Sequence, residues 1–167
     1  MASFQSISQD ALTETWAHSN DYRPRYGETR WDPVANKMYR FARLVDQDGA
    51  VGEVVYPAQA TEALDTYSVT TDYTGGSAVS ARVTGVLLGT VDISEKPGCW
   101  IQVPFPGTKC AMVRTVAGVA AGEGLIGHTV DGEADTMAAG EEHLVFAFAM
   151  ADATTINSQD ACIAEFV

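Results

Sequence analysis

The amino-acid sequence predicts an all-β chain: a compact sandwich or barrel of short antiparallel strands, entered by an extended N-terminal arm. Three observations carry that expectation. Turn-forming clusters of Gly, Pro, Asn, Asp and Ser recur about every ten residues, the rhythm of sandwiches and barrels. Between them apolar and polar residues alternate with the period of a half-buried strand. From Val45 onward no segment combines helical spacing, a capping residue and adequate length.

The elements follow in order. Residues 1–32 read as the arm and residues 33–167 as the β domain. Ser8 can cap a short helix running to about Ala17. Ser19 to Gly27 has no apolar periodicity, and its Arg and aromatic residues interleave with few aliphatic ones, so it cannot bury a core of its own. Met38 to Val45 is ambiguous. Val34, Met38, Phe41 and Val45 have helical spacing, while Tyr39 to Leu44 also alternates as a strand. Tyr67, Val69, Thr71 and Tyr73 alternate next, Gly75-Gly76 marks a hairpin turn, and Val79, Ala81 and Val83 alternate on the return. Val86 to Ile93 is β-rich, and Cys99 to Val103 is a strand stopped by Pro104-Phe105-Pro106-Gly107. Ala111, Val113 and Thr115 alternate with Met112, Arg114 and Val116, and the closing strands are His143 to Met150 and Cys162 to Val167. One echo, V-x-G-V-x-x-G, occurs at Val83–Gly89 and Val116–Gly122. It reads as coincidence between two Gly-bounded strands rather than as a repeat.

The 167 residues fit a single domain, and 46% apolar with 19% charged residues is a globular composition. Met1 to Ser6 has neither a basic start nor an apolar stretch, so no secretory signal is expected there. No run of about 18 apolar residues occurs, so no membrane partner is expected. The net charge of −12 argues against a nucleic-acid partner, which would need clustered Lys and Arg. The charge is split. Residues 1–43 hold six basic and five acidic residues, whereas residues 44–167 hold four and seventeen.

Candidate chemistry is sparse. Cys99, Cys110 and Cys162 are an odd set without a CxxC pair, which suits buried free thiols, with a Cys99–Cys110 bridge across a hairpin as the alternative. His18, His128 and His143 are scattered, and no G-x-S-x-G surrounds any serine, so a hydrolase triad is the least favoured reading. Asp131-Gly132-Glu133-Ala134-Asp135 loosely follows a calcium loop but lacks its ligand order and distal Glu, and an acidic turn is the plainer reading. Neither enzyme activity nor any cofactor or metal is expected.

The run Val83 to Val91, followed by Gly98-Cys99-Trp100-Ile101-Gln102-Val103, resembles small capsid decoration proteins of tailed bacteriophages. Val119-Ala120-Ala121-Gly122-Glu123-Gly124-Leu125, then Val130-Asp131-Gly132, is similar to their acidic Gly turn, and Val145–Ala151 with Ala161–Phe166 to their closing strands. The resemblance spans about Arg40 to Val167 and implies a non-catalytic β domain, often trimeric, displayed on a capsid lattice. It favours a strand at Tyr39–Val45. It also implies the major capsid protein and further copies of the chain as partners, with the capsid surface as location and assembly in the host cytoplasm. Within that reading the arm residues Trp16, Tyr22, Arg23, Arg25, Tyr26, Arg30 and Trp31 are candidates for capsid docking, since Arg and aromatics anchor interfaces. Val145, Ala147 and Ala149 are candidates for a subunit interface, because the closing strand is apolar on both faces, and Trp100, next to Ile101 and Val103, is a candidate for core or subunit interface. The runner-up is a carbohydrate- or receptor-binding β module on a virion or cell surface.

Overall fold

The computed structural model describes residues 24–58, 67–73, 82–156 and 159–167. Among these residues the chain is all-β apart from one 3-10 turn, Glu142–Leu144. The strands are β1 (Thr29–Asp32), β2 (Lys37–Leu44), β3 (Val54–Pro57), β4 (Ser68–Thr70), β5 (Gly85–Leu87) and β6 (Gly98–Gln102) in one sheet. A second sheet holds β7 (Lys109–Arg114), β8 (Gly124–Val130), β9 (Glu133–Thr136), β10 (Ala147–Ala149), β11 (Thr154–Ile156) and β12 (Gln159–Phe166).

Each sheet rolls up on itself. In the first, β2 lies parallel to β4, and antiparallel pairings then lead from β4 to β3, β5 and β6, whose return to β2 closes a five-stranded barrel. Closure removes the free edges that a small open sheet would expose. The second sheet repeats the plan with β7, β9, β8, β10 and β12 in the places of β2, β4, β3, β5 and β6. Its first and third strands meet through one parallel bridge, Thr115 to Ala134. β1 is added beside β2 in the first barrel, and β11 beside β12 in the second.

The correspondence extends to single hydrogen bonds. Ala50-Val51-Gly52-Glu53 and Ala120-Ala121-Gly122-Glu123 make the same turn into β3 and β8. The Glu N–H donates to the Ala carbonyl at 3.1 and 3.2 Å, and the Ala N–H donates to the Glu carboxylate at 2.9 and 2.7 Å. The glycines sit at φ +86° and +89°, left-handed values that cost an L side chain about 1–2 kcal/mol. Gly52 N–H donates to Leu87 O as Gly122 N–H does to Ala149 O, both at 2.8 Å. Val45 N–H donates to Val69 O at 3.0 Å, and Val116 N–H to Ala134 O at 2.9 Å.

These registers pair the two interiors position by position. The first barrel is filled by Ala42, Leu44, Val55, Val69, Leu87, Val91, Cys99 and Ile101. Their counterparts are Val113, Thr115, Leu125, Ala134, Ala149, Ala153, Cys162 and Ala164, all buried except the partly buried Ala153. The second set is smaller at five places, and the tilted Phe146–Phe166 pair, with ring centroids 6.3 Å apart, occupies volume where the first barrel has Thr84 and Val103. Close packing requires that exchange of volume.

The barrels are joined by more than the linker. Val54, Tyr56, Val83 and Val86, from the outside of the first barrel, share one apolar cluster with the interior of the second. Gly127 lies so close to the Tyr56 ring that a β-carbon there would overlap it. Arg114 N–H donates to Gly52 O at 2.8 Å, Val54 N–H to Gly132 O at 2.9 Å, and Arg114 Nη1 lies 3.2 Å from Glu53 Oε1. Burial pushes the Glu53 carboxyl up, while its bond from Ala50 N–H and then Arg114 draw it down.

Several expectations change. Residues 29–32, expected in the arm, are strand β1 of the first sheet, so the boundary at residue 32 divides nothing among the described residues. Met38 to Leu44 is strand, within β2, and Val45 lies just past its end. β4 does not pair with Val83: its partners are β2 and β3, and residues 74–81 lie outside the described set, as does the helix expected from Ser8 to Ala17. His143–Met150 is strand only over β10, because the Glu141 carboxylate accepts from Ala138 N–H at 2.9 Å and Leu144 N–H closes back on Glu141 O at 2.8 Å. The V-x-G-V-x-x-G echo is coincidence. Val116 answers to Val45 in the other barrel, not to Val83.

Thr115 stands where the first barrel has Leu44, and its buried hydroxyl has no hydrogen-bond partner. Thr115→Val keeps the shape and removes an unsatisfied polar group. It should stabilise the chain by about 1 kcal/mol, raising Tm by about 2–4 °C in thermal unfolding. A loss of stability would show that the hydroxyl is satisfied in solution.

Candidate functional site

The chemistry-bearing side chains are dispersed over the two barrels. His143 is exposed at the start of the second barrel's closing segment, while His18 and the side chain of His128 lie outside the described residues. Among the described residues no group of three or more His, Cys, Asp and Glu stands close enough to hold a metal. The Asp131–Asp135 run is the turn and second strand of the β8–β9 hairpin, with Gly132 at φ +70° and the Asp131 carboxylate accepting Tyr73 N–H at 2.9 Å.

The arm candidates divide. Trp16, Tyr22 and Arg23 lie outside the described residues. Arg25 and Glu28 close a turn, since Glu28 N–H donates to Arg25 O at 2.8 Å, and the Arg25 side chain is exposed. Tyr26 stacks on Phe41 with 5.5 Å between centroids, yet 43% of it is exposed. Arg30 is committed inside the chain: it is 3.0 Å from Glu28 Oε1 and lies 4.8 Å over the Trp100 ring. Trp31 is 38% exposed and meets Phe105 edge-on at 5.3 Å and 77°. Phe105, 39% exposed in the segment between the barrels, was not among the sequence candidates. Its flanking prolines, which stop β6, were the available signal.

The expected subunit-interface residues face the other way. Trp100 is buried against Phe41, under Arg30. Ala147 and Ala149 are buried inside the second barrel and Val145 is half-buried, so the inward side of β10 has no surface to offer a second copy. The exposed side carries Phe148 and Met150, with Ile163 beside them on β12. Small residues pointing inward and large ones outward invert the usual expectation, and the Phe146–Phe166 pair in the same core takes the volume they leave.

A cleft of about 860 Å³ opens between the first barrel, the Pro104–Pro106 segment and the second barrel. Among the described residues, apolar Val83, Val103, Phe146 and Val167 line it with the basic side chains Arg40, Arg82 and His143. The Arg40 Nε is buried there without a partner. In a chain of net charge −12, such a lining suits an anionic group carried on an apolar chain.

The cysteines are core residues rather than nucleophiles. Cys99 and Cys162 occupy equivalent barrel positions, and all three thiols are free and buried. Burial pushes Cys99 up to about 12 and Cys162 up to about 11, and it raises Cys110 as well. A thiol whose charged form is so disfavoured reacts slowly. A thiol-specific disulfide reagent at mildly alkaline pH should therefore modify the native protein only at its unfolding rate, and all three thiols at once after denaturation. Fast release of one native equivalent would contradict these burials.

No protein-family model matches the chain, and no curated protein sequence matches it.

Proposed function

We propose that the chain is a non-catalytic virion protein that binds the outer surface of a viral capsid and stabilises the shell, working with further copies of itself as a trimer. One observation carries the reading beyond the sequence resemblance: what the described surface offers is large apolar contact groups, Tyr26, Trp31, Phe105, Phe148, Met150 and Ile163, while many carboxylates close the chain's own turns. Exposed aromatics on a rigid scaffold are the anchors of protein interfaces. Two closed barrels joined through a shared core supply the scaffold.

The docking patch favoured by this geometry is Arg25, Tyr26 and Trp31 with Phe105. Arg30 is better placed to hold β1 on the barrel than to leave it. The runner-up, a carbohydrate- or receptor-binding module, draws on the same aromatics. The edge-on meeting of Trp31 and Phe105 does not make a continuous flat platform for sugar rings.

The protein should co-sediment with expanded capsid shells of its virus. Tyr26→Ala combined with Trp31→Ala should weaken that binding by about tenfold or more. Arg25→Ala should weaken it more at low salt than at high salt, where screening has already reduced the attraction. Absence of the wild-type protein from the shell fraction would overturn the proposal, and retention on a glycan surface in its place would favour the runner-up.

A further inference from the structure

The cleft between the barrels gathers its basic side chains from three separate elements. Arg40 stands in the middle of β2, Arg82 in the segment before β5, and His143 in the 3-10 turn of the second barrel. The Arg40 Nε is buried and finds no acceptor among the described residues. A buried donor on a charged group calls for an acceptor, and an ionised one serves it best. Residues 44–167 carry seventeen acidic residues against four basic ones, so the rest of this chain repels an anion that the cleft attracts.

The walls decide what carries the anion. Pro57, Pro104 and Pro106 have no N–H to offer. The N–H groups of Thr84, Val103, Leu144, Phe146 and Val167 already donate within the chain, to the carbonyls of Val55, Met38, Glu141, Leu125 and Phe146 at 2.7–3.2 Å. A peptide laid along these walls would bury carbonyls without donors, a cost that an alkyl chain does not carry. The volume of about 860 Å³ is that of a small-molecule site, about 300–1,000 Å³.

We propose that the cleft binds a fatty-acid anion, with its carboxylate on Arg40 and its alkyl chain along Val83, Val103 and Phe146. Nε and the neighbouring Nη of a guanidinium form a fork that meets both carboxylate oxygens. Arg82 and His143 add to the basic side, and the apolar walls take the tail out of water. This ligand site goes beyond the capsid reading, because it belongs to the free protein and would stand if shell binding failed.

Titration calorimetry of the full chain with octanoate, 1-octanol and acetate separates the head group from the tail. Octanoate should bind saturably at one site per chain, about tenfold or more tighter than 1-octanol, and acetate should not saturate. Arg40→Gln should weaken octanoate by about tenfold or more and leave 1-octanol unchanged. Lys96→Gln removes a cation at the opposite end of β6 from Val103 and should leave octanoate binding unchanged. In the wild type the Arg40 Nε–H resonance should shift as octanoate is added, which decides the matter should Arg40→Gln fail to fold. Absence of saturable octanoate binding overturns the proposal. So does 1-octanol binding as tightly as octanoate, a folded Arg40→Gln variant that binds octanoate normally, or an Arg40 resonance that stays in place.

Discussion

A closed ring of five strands cannot alternate in direction throughout, so at least one neighbouring pair must be parallel; here it is the first strand beside the third, and both barrels depend on that short contact. In the first barrel it comprises Arg43 and Leu44 opposite Ser68 and Val69, and in the second it shrinks to one bridge between Thr115 and Ala134. All the other pairings within the two rings are antiparallel. To bring the third strand alongside the first, the chain must reverse tightly before the second. The Ala-x-Gly-Glu turn makes that reversal, with a positive-φ glycine and a glutamate that bonds back to the start of its own turn.

Closure also sets what the side chains can do. In the second barrel Phe146 and Phe166 take up volume in the core, so Ala147, Ala149 and Ala164 point inward while Phe148, Met150 and Ile163 are left outside. The first barrel solves the same problem with its own chain: β1 and Tyr26 lie on Phe41 and Trp100, and the second barrel takes Val54, Tyr56 and Val86. At that junction Glu53 both closes its turn and faces Arg114. The burial that raises its carboxyl makes the folded state bind protons more readily than the unfolded chain does. Its contribution to stability is therefore largest below the usual carboxylate range and falls as pH rises through the raised value.

The all-β class was legible because turn residues and alternation recur throughout; β7 lies where its alternation put it, while the spacing of β2 fitted helix and strand alike. The duplication was not. Ala-x-Gly-Glu and a few scattered identities, Arg43 with Arg114, Val45 with Val116 and Cys99 with Cys162, survive in both halves, and residue size is traded between Leu44, Leu87 and Ile101 on one side and Thr115, Ala149 and Ala164 on the other. A repeat kept by backbone bonds leaves little trace in side chains. No strand was expected at β8 or β9, because Gly124, Gly127 and Gly132 interrupt that stretch, yet Gly127 is there to admit Tyr56. The proposed contact surface was half legible. Tyr26 and Trp31 stood out as aromatics among polar residues, whereas the inside and outside of β10 can be told apart only once the barrel is known to close.

Backbone hydrogen exchange at the two closing bonds tests this account most directly. Val45 N–H and Val116 N–H, which donate to Val69 O and Ala134 O, should exchange only through global unfolding, as slowly as the buried antiparallel amides of Val55 and Leu125. Rapid exchange of Val45 and Val116 while Val55 and Leu125 stay protected would mean that the sheets are open in solution. The barrel, and the equivalence of its two copies, would then be contradicted.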